Sequence, residues 1–224
     1  FIGTYVPRQC GIATFTNDVY NSITLQYKNH DSFVLAINDT PEGYNYPEEV
    51  KFEIEQNSID SYQQAADFLN LHNVDIINLQ HEYGIFGGKA GSHILVLLKN
   101  VKIPVVTTLH TILDNPNHHQ KVVLEEIAKL SSRLIVMSER GKQFLTDLYS
   151  IPQDKIDIIP HGIPDMPFVD PNFYEDKFGI EGKFVILTFG LLSPNKGIEY
   201  VLEALPEVIS KYPDVRYIIL GATH

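Results

Sequence analysis

Three histidines stand at or just beyond the ends of Val- and Ile-rich runs in this chain: His81, His110 and His161. Imidazole titrates near neutral pH and can donate to, accept from or exchange a proton with a bound oxygen. His81 belongs to Gln80-His81-Glu82-Tyr83-Gly84-Ile85-Phe86-Gly87-Gly88, where polar and aromatic groups give way to glycines. His81-Glu82 does not begin a metalloprotease HExxH motif, because position 85 is Ile. Hydrogen bonding to a polyol by His81, Glu82 and Tyr83 fits better than a metal site; a plain surface loop is the alternative. His110 follows the run 104–109, placed to donate to an oxygen or to act as acid or base near neutral pH. His161 lies in Pro160-His161-Gly162-Ile163. A histidine at each of three strand ends favours a shared cleft. His118-His119, adjacent on a helix start, cannot both face one metal and reads as solvated.

Two further loops suit an anion. Val6-Pro7-Arg8-Gln9-Cys10-Gly11 leads straight into a helix. The unpaired N–H groups of a helix N-terminus attract negative charge, and Arg8 adds a full positive one. The loop lacks the three glycines of a dinucleotide fingerprint, and a tight βα turn around Gly11 with Arg8 in solvent is equally compatible. The second loop is Phe189-Gly190-Leu191-Leu192-Ser193-Pro194-Asn195-Lys196-Gly197. Lys196 at a helix start opposes the helix dipole, which makes sense if a phosphate or diphosphate completes the site. It is not a Walker A loop, and an exposed lysine in an ordinary βα loop is the alternative.

The elements that must position these groups alternate. Strands are predicted at 1–5, 32–37, 50–54, 74–79, 104–109, 133–137, 155–159, 184–189 and 215–220. Helical periodicity lies between them, as in Ile12, Phe15, Val19 and Ile23, or Ile59, Tyr62, Ala66 and Leu69. Val123, Ile127 and Leu130 repeat it, and Ile198 to Ile209 carries the strongest stripe. Segment 94–98, apolar all round, reads as a buried helix. Strands separated by helices imply βαβ units and a doubly wound, Rossmann-like parallel sheet. Lys51 to Glu55 alternates charged and apolar residues and belongs near a sheet edge. The Pro- and Gly-rich stretch 160–182 reads as a linker. The expected division is a complete domain over 1–167 and the first βαβ unit of a second, cut short, over 168–224.

Composition narrows the partners. Lys plus Arg number 17 against 28 for Asp plus Glu, a net charge of −11, the reverse of what phosphate neutralisation on nucleic acid requires. Cys10 is the single cysteine, so neither an internal disulfide nor a cysteine zinc site can form. No run approaches the length of a membrane span, and no signal-peptide pattern opens the chain, so a cytoplasmic protein is expected. Both ends read as cut.

In this order, these residues resemble the retaining glycosyltransferases of family 4, which have the GT-B fold. Gly190 to Gly197, followed by Ile198–Leu205, resembles that family's G-R-L-x-x-x-K-G … L-x-x-A signature. Ile159-Pro160-His161-Gly162-Ile163 is similar to its I-P-N-G-V segment, Thr108-Leu109-His110 to its strand-end histidine, and Cys10–Phe15 to its first βα loop. The resemblance implies hexosyl transfer from a nucleotide-sugar donor to a saccharide or small-molecule acceptor, with retention and without a metal or other cofactor. It implies that Lys196 and Gly190 hold the donor diphosphate, that Gly11 admits a phosphate or acceptor, and that His110 binds the transferred sugar. Leu191 replaces the family's arginine, with Arg8 the candidate to supply the missing charge. The family's paired glutamates have no counterpart, so residues 1–224 alone are expected to be inactive. Two alternatives stay open: a GT-B phosphorylase or sugar-phosphate synthase, and a non-catalytic carbohydrate-binding domain.

Overall fold

Val34–Asn38, Ile77–His81 and Val105–Leu109 are rich in β-branched and leucine side chains, and each is buried almost throughout. Strands of that kind belong inside a parallel sheet covered on both faces. A computed structural model of the chain, describing residues 1–163, 166–170, 172–190 and 192–222, shows this arrangement. The chain divides into two compact units, Phe1–Gly162 and Ile163–His224. The boundary expected from sequence lay at 167/168.

The first unit runs β1 (Ile2–Gly3), α1 (Gly11–Gln26), β2 (Val34–Asn38), β3 (Val50–Glu55), α2 (Ile59–Leu71), β4 (Ile77–His81), α3 (Ile94–Asn100), β5 (Val105–Leu109), α4 (His118–Leu130), β6 (Arg133–Val136), α5 (Glu139–Asp147) and β7 (Ile156–Ile158). Its seven strands lie in the order β3-β2-β1-β4-β5-β6-β7, every pair parallel. The chain winds outward from β1 through β2 to β3, then returns to the other side of β1 with β4. The sheet therefore reverses between β1 and β4, and the crevice at the carboxyl ends of such neighbours is where open α/β sheets take ligands. Edge strand β3 alternates half-buried or buried Val50, Phe52 and Ile54 with exposed Lys51, Glu53 and Glu55, as its charge pattern predicts. The largest core cluster joins Ile2, Leu35, Ile37, Leu79, Tyr62, Leu97 and Ile127 from strands and helices on both faces.

Several boundaries differ from the sequence expectation. The fourth strand, expected at 74–79, runs Ile77–His81, because Gln80 and His81 pair with Thr108 and Leu109 of β5. Polar residues ended the apolar pattern two positions before the hydrogen-bonded ladder ends. The first strand is only Ile2–Gly3. Helix α5 was not expected: its buried face is narrow, with Gly141 and Leu145 as its buried residues, yet Ser138 caps it by accepting from the Gly141 N–H.

The second unit holds α6 (Asn172–Phe178), β8 (Phe184–Phe189), α7 (Ile198–Lys211) and β9 (Val215–Leu220). β8 and β9 pair in parallel from Phe184↔Val215 to Phe189↔Leu220, a βαβ unit around α7. Helix α6 falls inside the stretch 160–182 that reads as a linker from its prolines and glycines. Among the described residues no helix is long and apolar enough to cross a membrane.

Candidate functional site

The loop leaving β1 sets the first wall of the site. Arg8 and Cys10 turn back on themselves, with the Cys10 N–H donating to the Arg8 carbonyl at 3.0 Å. Cys10 then caps α1: its Sγ accepts from the Ala13 N–H at 3.3 Å and meets Thr4 Oγ1 at 3.2 Å. A sulfur here does the work usually given to Ser, Thr, Asn or Asp. The cap uses the Ala13 N–H and the Thr14 N–H, leaving those of Gly11 and Ile12 without an internal acceptor among the described residues. A Cβ added at Gly11 would meet nothing within 4 Å, and the first turn holds no acidic residue. This end of α1 is open, positive and uncrowded, as an anion or a polyol oxygen requires.

Arg8 is less free than its sequence position suggests. Its guanidinium pairs with Asp39 at 3.1 Å and donates to the Ile37 carbonyl at 3.3 Å, at the carboxyl end of β2. Asp39 also accepts from the Tyr44 hydroxyl at 2.9 Å. Arg8 thus carries a built-in counter-charge.

On the other side of the crevice, the β4–β5 register brings His81 and His110 together, the His110 N–H donating to the His81 carbonyl at 3.0 Å. The His110 ring stands edge-on to Phe15 of α1 at 4.7 Å, and His161 meets the same phenyl ring at 5.4 Å. Phe15 is the hub that joins two strand-end histidines. Of the three histidines expected to share a cleft, His110 and His161 meet at this ring, whereas His81 does not reach solvent. His110 Nε2 lies 2.8 Å from Gln80 Oε1. Burial, then the charge of His161, lowers the His110 pKa to about 4. With its pKa so lowered, His110 is a neutral ring at pH 7, which favours the hydrogen-bonding role over that of an acid.

His81 is placed differently. No part of it reaches solvent, its ring stacks on Phe86 and meets the edge of Tyr83, and neither ring nitrogen has a partner among the described residues. Burial holds its pKa down at about 3. Glu82 is committed locally, its carboxylate accepting from the Tyr83 N–H at 2.9 Å and from the Thr111 hydroxyl. Tyr83 is buried, and that burial, followed by the neighbouring Tyr149 phenol, raises its pKa. These three shape the floor beneath the β4 end; the groups nearer the surface are Gly11, His110 and His161.

The two neutral imidazoles make a stability prediction. The unfolded chain takes up protons near 6.5, whereas folded His110 and His81 resist until about 4 and about 3. The unfolded state therefore binds more protons between those values, and stability falls as pH drops through 6.5 towards 4. Denaturant midpoints measured from pH 8 to pH 4 are expected to decline below about 6.5, and His81→Phe to decline less steeply.

In the second unit, Gly190 ends β8 with φ +115°, a conformation open to glycine, and its N–H donates to the Leu220 carbonyl at 3.0 Å. Lys196 closes the 3₁₀ turn Pro194–Lys196, one residue before Gly197 caps α7 with φ +61°. A Cβ on Gly190 would lie 3.5 Å from Lys196 Nζ, so the ammonium rests over the bare backbone of Gly190. Lys196 is exposed, and α7 has no side-chain cap. Lys196 and Gly190, both expected at the donor diphosphate, thus lie next to each other at the start of α7 within this unit. Leu191, where the resemblance expects arginine, lies outside the described residues.

Sequence reasoning passed over Phe15 and Gln80 as site residues. Phe15 reads as one apolar position of an amphipathic helix, and Gln80 as the first polar residue of the loop after the strand at 74–79. Only the fold puts both against His110. No cluster of metal-ligating side chains occurs among the described residues.

The profile of Glycosyltransferase Family 4 matches residues 24–165. Alpha-monoglucosyldiacylglycerol synthase of Acholeplasma laidlawii is 26% identical over 66% of this chain and 42% of its own length. The enzyme of the same name from Streptococcus pneumoniae is 24% identical over 99% of this chain and 54% of its own. The chain thus spans about half the length of these curated relatives. Among solved structures, Anabaena HepE in complex with UDP and glucose superposes with a TM-score of 0.69 at 18% identity, covering 100% of this chain and 60% of that one. Such neighbours have the GT-B fold, in keeping with the Rossmann-like sheet of the first unit and the βαβ of the second. With its profile matched over more than half of the sequence, the chain belongs to glycosyltransferase family 4.

Proposed function

We propose that the protein carrying this chain transfers a hexosyl group from a nucleotide-sugar donor to an acceptor with retention of anomeric configuration. The observation that carries this reading is the group at the β1–β4 crevice. An open helix end at Gly11 stands across from a neutral His110 that is clamped by Gln80 and Phe15. Neutral donors and acceptors around an aromatic ring suit sugar hydroxyls better than they suit proton transfer. In this reading the first unit holds the acceptor, with His110 binding the transferred sugar and His161 the outer rim. His81, Glu82 and Tyr83 support them from below. The second unit holds the donor diphosphate through Lys196, Gly190 and the uncapped amides of α7. Those groups stabilise charge that develops as the nucleoside diphosphate departs, a job that needs no metal or other cofactor when cations and helix ends supply it.

HepE binds UDP and glucose in its crystal structure, so a UDP-hexose is the first donor to test. A net charge of −11 favours a saccharide or small-molecule acceptor over an anionic membrane surface. A second reading has specific support: two relatives are named alpha-monoglucosyldiacylglycerol synthase, which favours testing a lipid acceptor as well. The full-length protein should be incubated with UDP-hexoses and both acceptor classes, with and without a chelator. The product's anomeric configuration is then read by NMR. Chelator-insensitive transfer with the donor's configuration retained is expected; an inverted product would refute the assignment.

A further inference from the structure

A neutral imidazole carries one N–H, and the partner of one nitrogen decides the role of the other. At His110 that partner is Gln80 Oε1, 2.8 Å from Nε2. The Gln80 amide is fully buried, and its Nε2 donates to Asn78 Oδ1, which orients the oxygen towards His110. An amide oxygen accepts and cannot donate, so this contact is a hydrogen bond when His110 Nε2 carries the proton. Nδ1 then keeps its lone pair and has no hydrogen bond among the described residues.

The position of Gln80 is itself built in. It pairs with Thr108 in the β4–β5 register, two residues before His110. Across β1, a Cβ added at Gly3 would come within 3.0 Å of Gln80 Cβ and 3.1 Å of Thr16 Oγ1, so the absent side chain of Gly3 makes the room that Gln80 occupies. The charged or titratable groups around His110 are His161, across Phe15, and His81, through its carbonyl. Neither supplies a second acceptor to compete with Gln80.

We propose that Gln80 is a positioning residue that locks His110 in the Nε2–H tautomer, so that Nδ1 acts as a hydrogen-bond acceptor for a sugar hydroxyl. The consequence is a constraint on what His110 recognises. It accepts from a hydroxyl and does not donate to a phosphate or carbonyl oxygen. The recognition step rests on the transfer function proposed above; the tautomer does not.

The test separates the two. Long-range 1H–15N spectra of the 15N-labelled full-length protein at pH 7.5 report which ring nitrogen of His110 is protonated. The wild type is expected to show Nε2–H with Nδ1 bare, Gln80→Leu a mixture of both tautomers, and Gln80→Glu the Nε2–H form again. A dominant Nδ1–H form in the wild type, or an unchanged tautomer in Gln80→Leu, would overturn the proposal. Should Gln80→Leu fail to fold, the wild-type and Gln80→Glu spectra decide. In transfer assays Gln80→Leu is expected to lower kcat about tenfold. In Gln80→Glu the added carboxylate favours imidazolium, so the acid limb of the kcat profile should move to higher pH. An acid limb that stays in place would count against the link to His110. Absence of transfer in the wild type would sink the function and leave the tautomer result standing.

Discussion

Lys196→Ala in the full-length protein is expected to lower kcat/KM for sugar transfer by about 10²-fold or more, in the range of about 2.7–4 kcal/mol found when one preorganised oxyanion donor is removed. The ammonium is exposed, lies over Gly190 and precedes an uncapped helix end; Glu199 stands in the first turn of α7, but no ion pair to Lys196 occurs among the described residues. A leaving diphosphate gains charge as the glycosidic bond breaks, so the loss should fall on the chemical step. Lys196→Arg should recover only part of the rate, because a planar fork replaces a compact point charge. A loss below tenfold, about 1.4 kcal/mol, would remove Lys196 from the donor site.

His110→Ala is expected to reduce kcat/KM by at least about tenfold, read from the same assay. The ring would be lost from between Gln80 and Phe15, leaving a buried amide oxygen without its donor as well as a sugar without its partner. With a pKa of about 4, His110 changes charge only in acid. The wild-type rate should therefore show no His110-dependent fall between pH 8 and pH 6, and should drop as pH approaches 4 and Nδ1 is protonated. An essential titration near pH 6.5 that disappears in His110→Ala would contradict the buried, neutral state described here.

Much of the scaffold could be read from local pattern. The Val- and Ile-rich strands, the apolar helix at Ile94–Asn100 and the charged edge strand at Val50–Glu55 each carry a periodicity that burial enforces. What escaped was governed by pairing or packing. His81 extends β4 because Leu109 stands beside it, a partner 28 residues away with no local signature. Helix α5 hides because Gly141, a poor helix former, stands in its first turn and only Gly141 and Leu145 are buried along it. The site follows the same division. Histidines at strand ends and a lysine beside a glycine-rich turn are visible as residue types. Their states are not: that Arg8 is paired with Asp39, that His81 is sealed, and that Phe15 and Gln80 grip His110 all depend on contacts between distant segments.

The central claim, that this family 4 chain serves nucleotide-sugar-dependent transfer through Lys196 and His110, is tested most directly by acceptor-dependent release of nucleoside diphosphate. The full-length protein, its Lys196→Ala and its His110→Ala variants would be assayed side by side with a UDP-hexose panel. Release by the wild type that depends on acceptor and falls at least tenfold in both variants is the predicted result. Sugar 1-phosphate formed from a disaccharide and inorganic phosphate, or release unchanged in both variants, would contradict it.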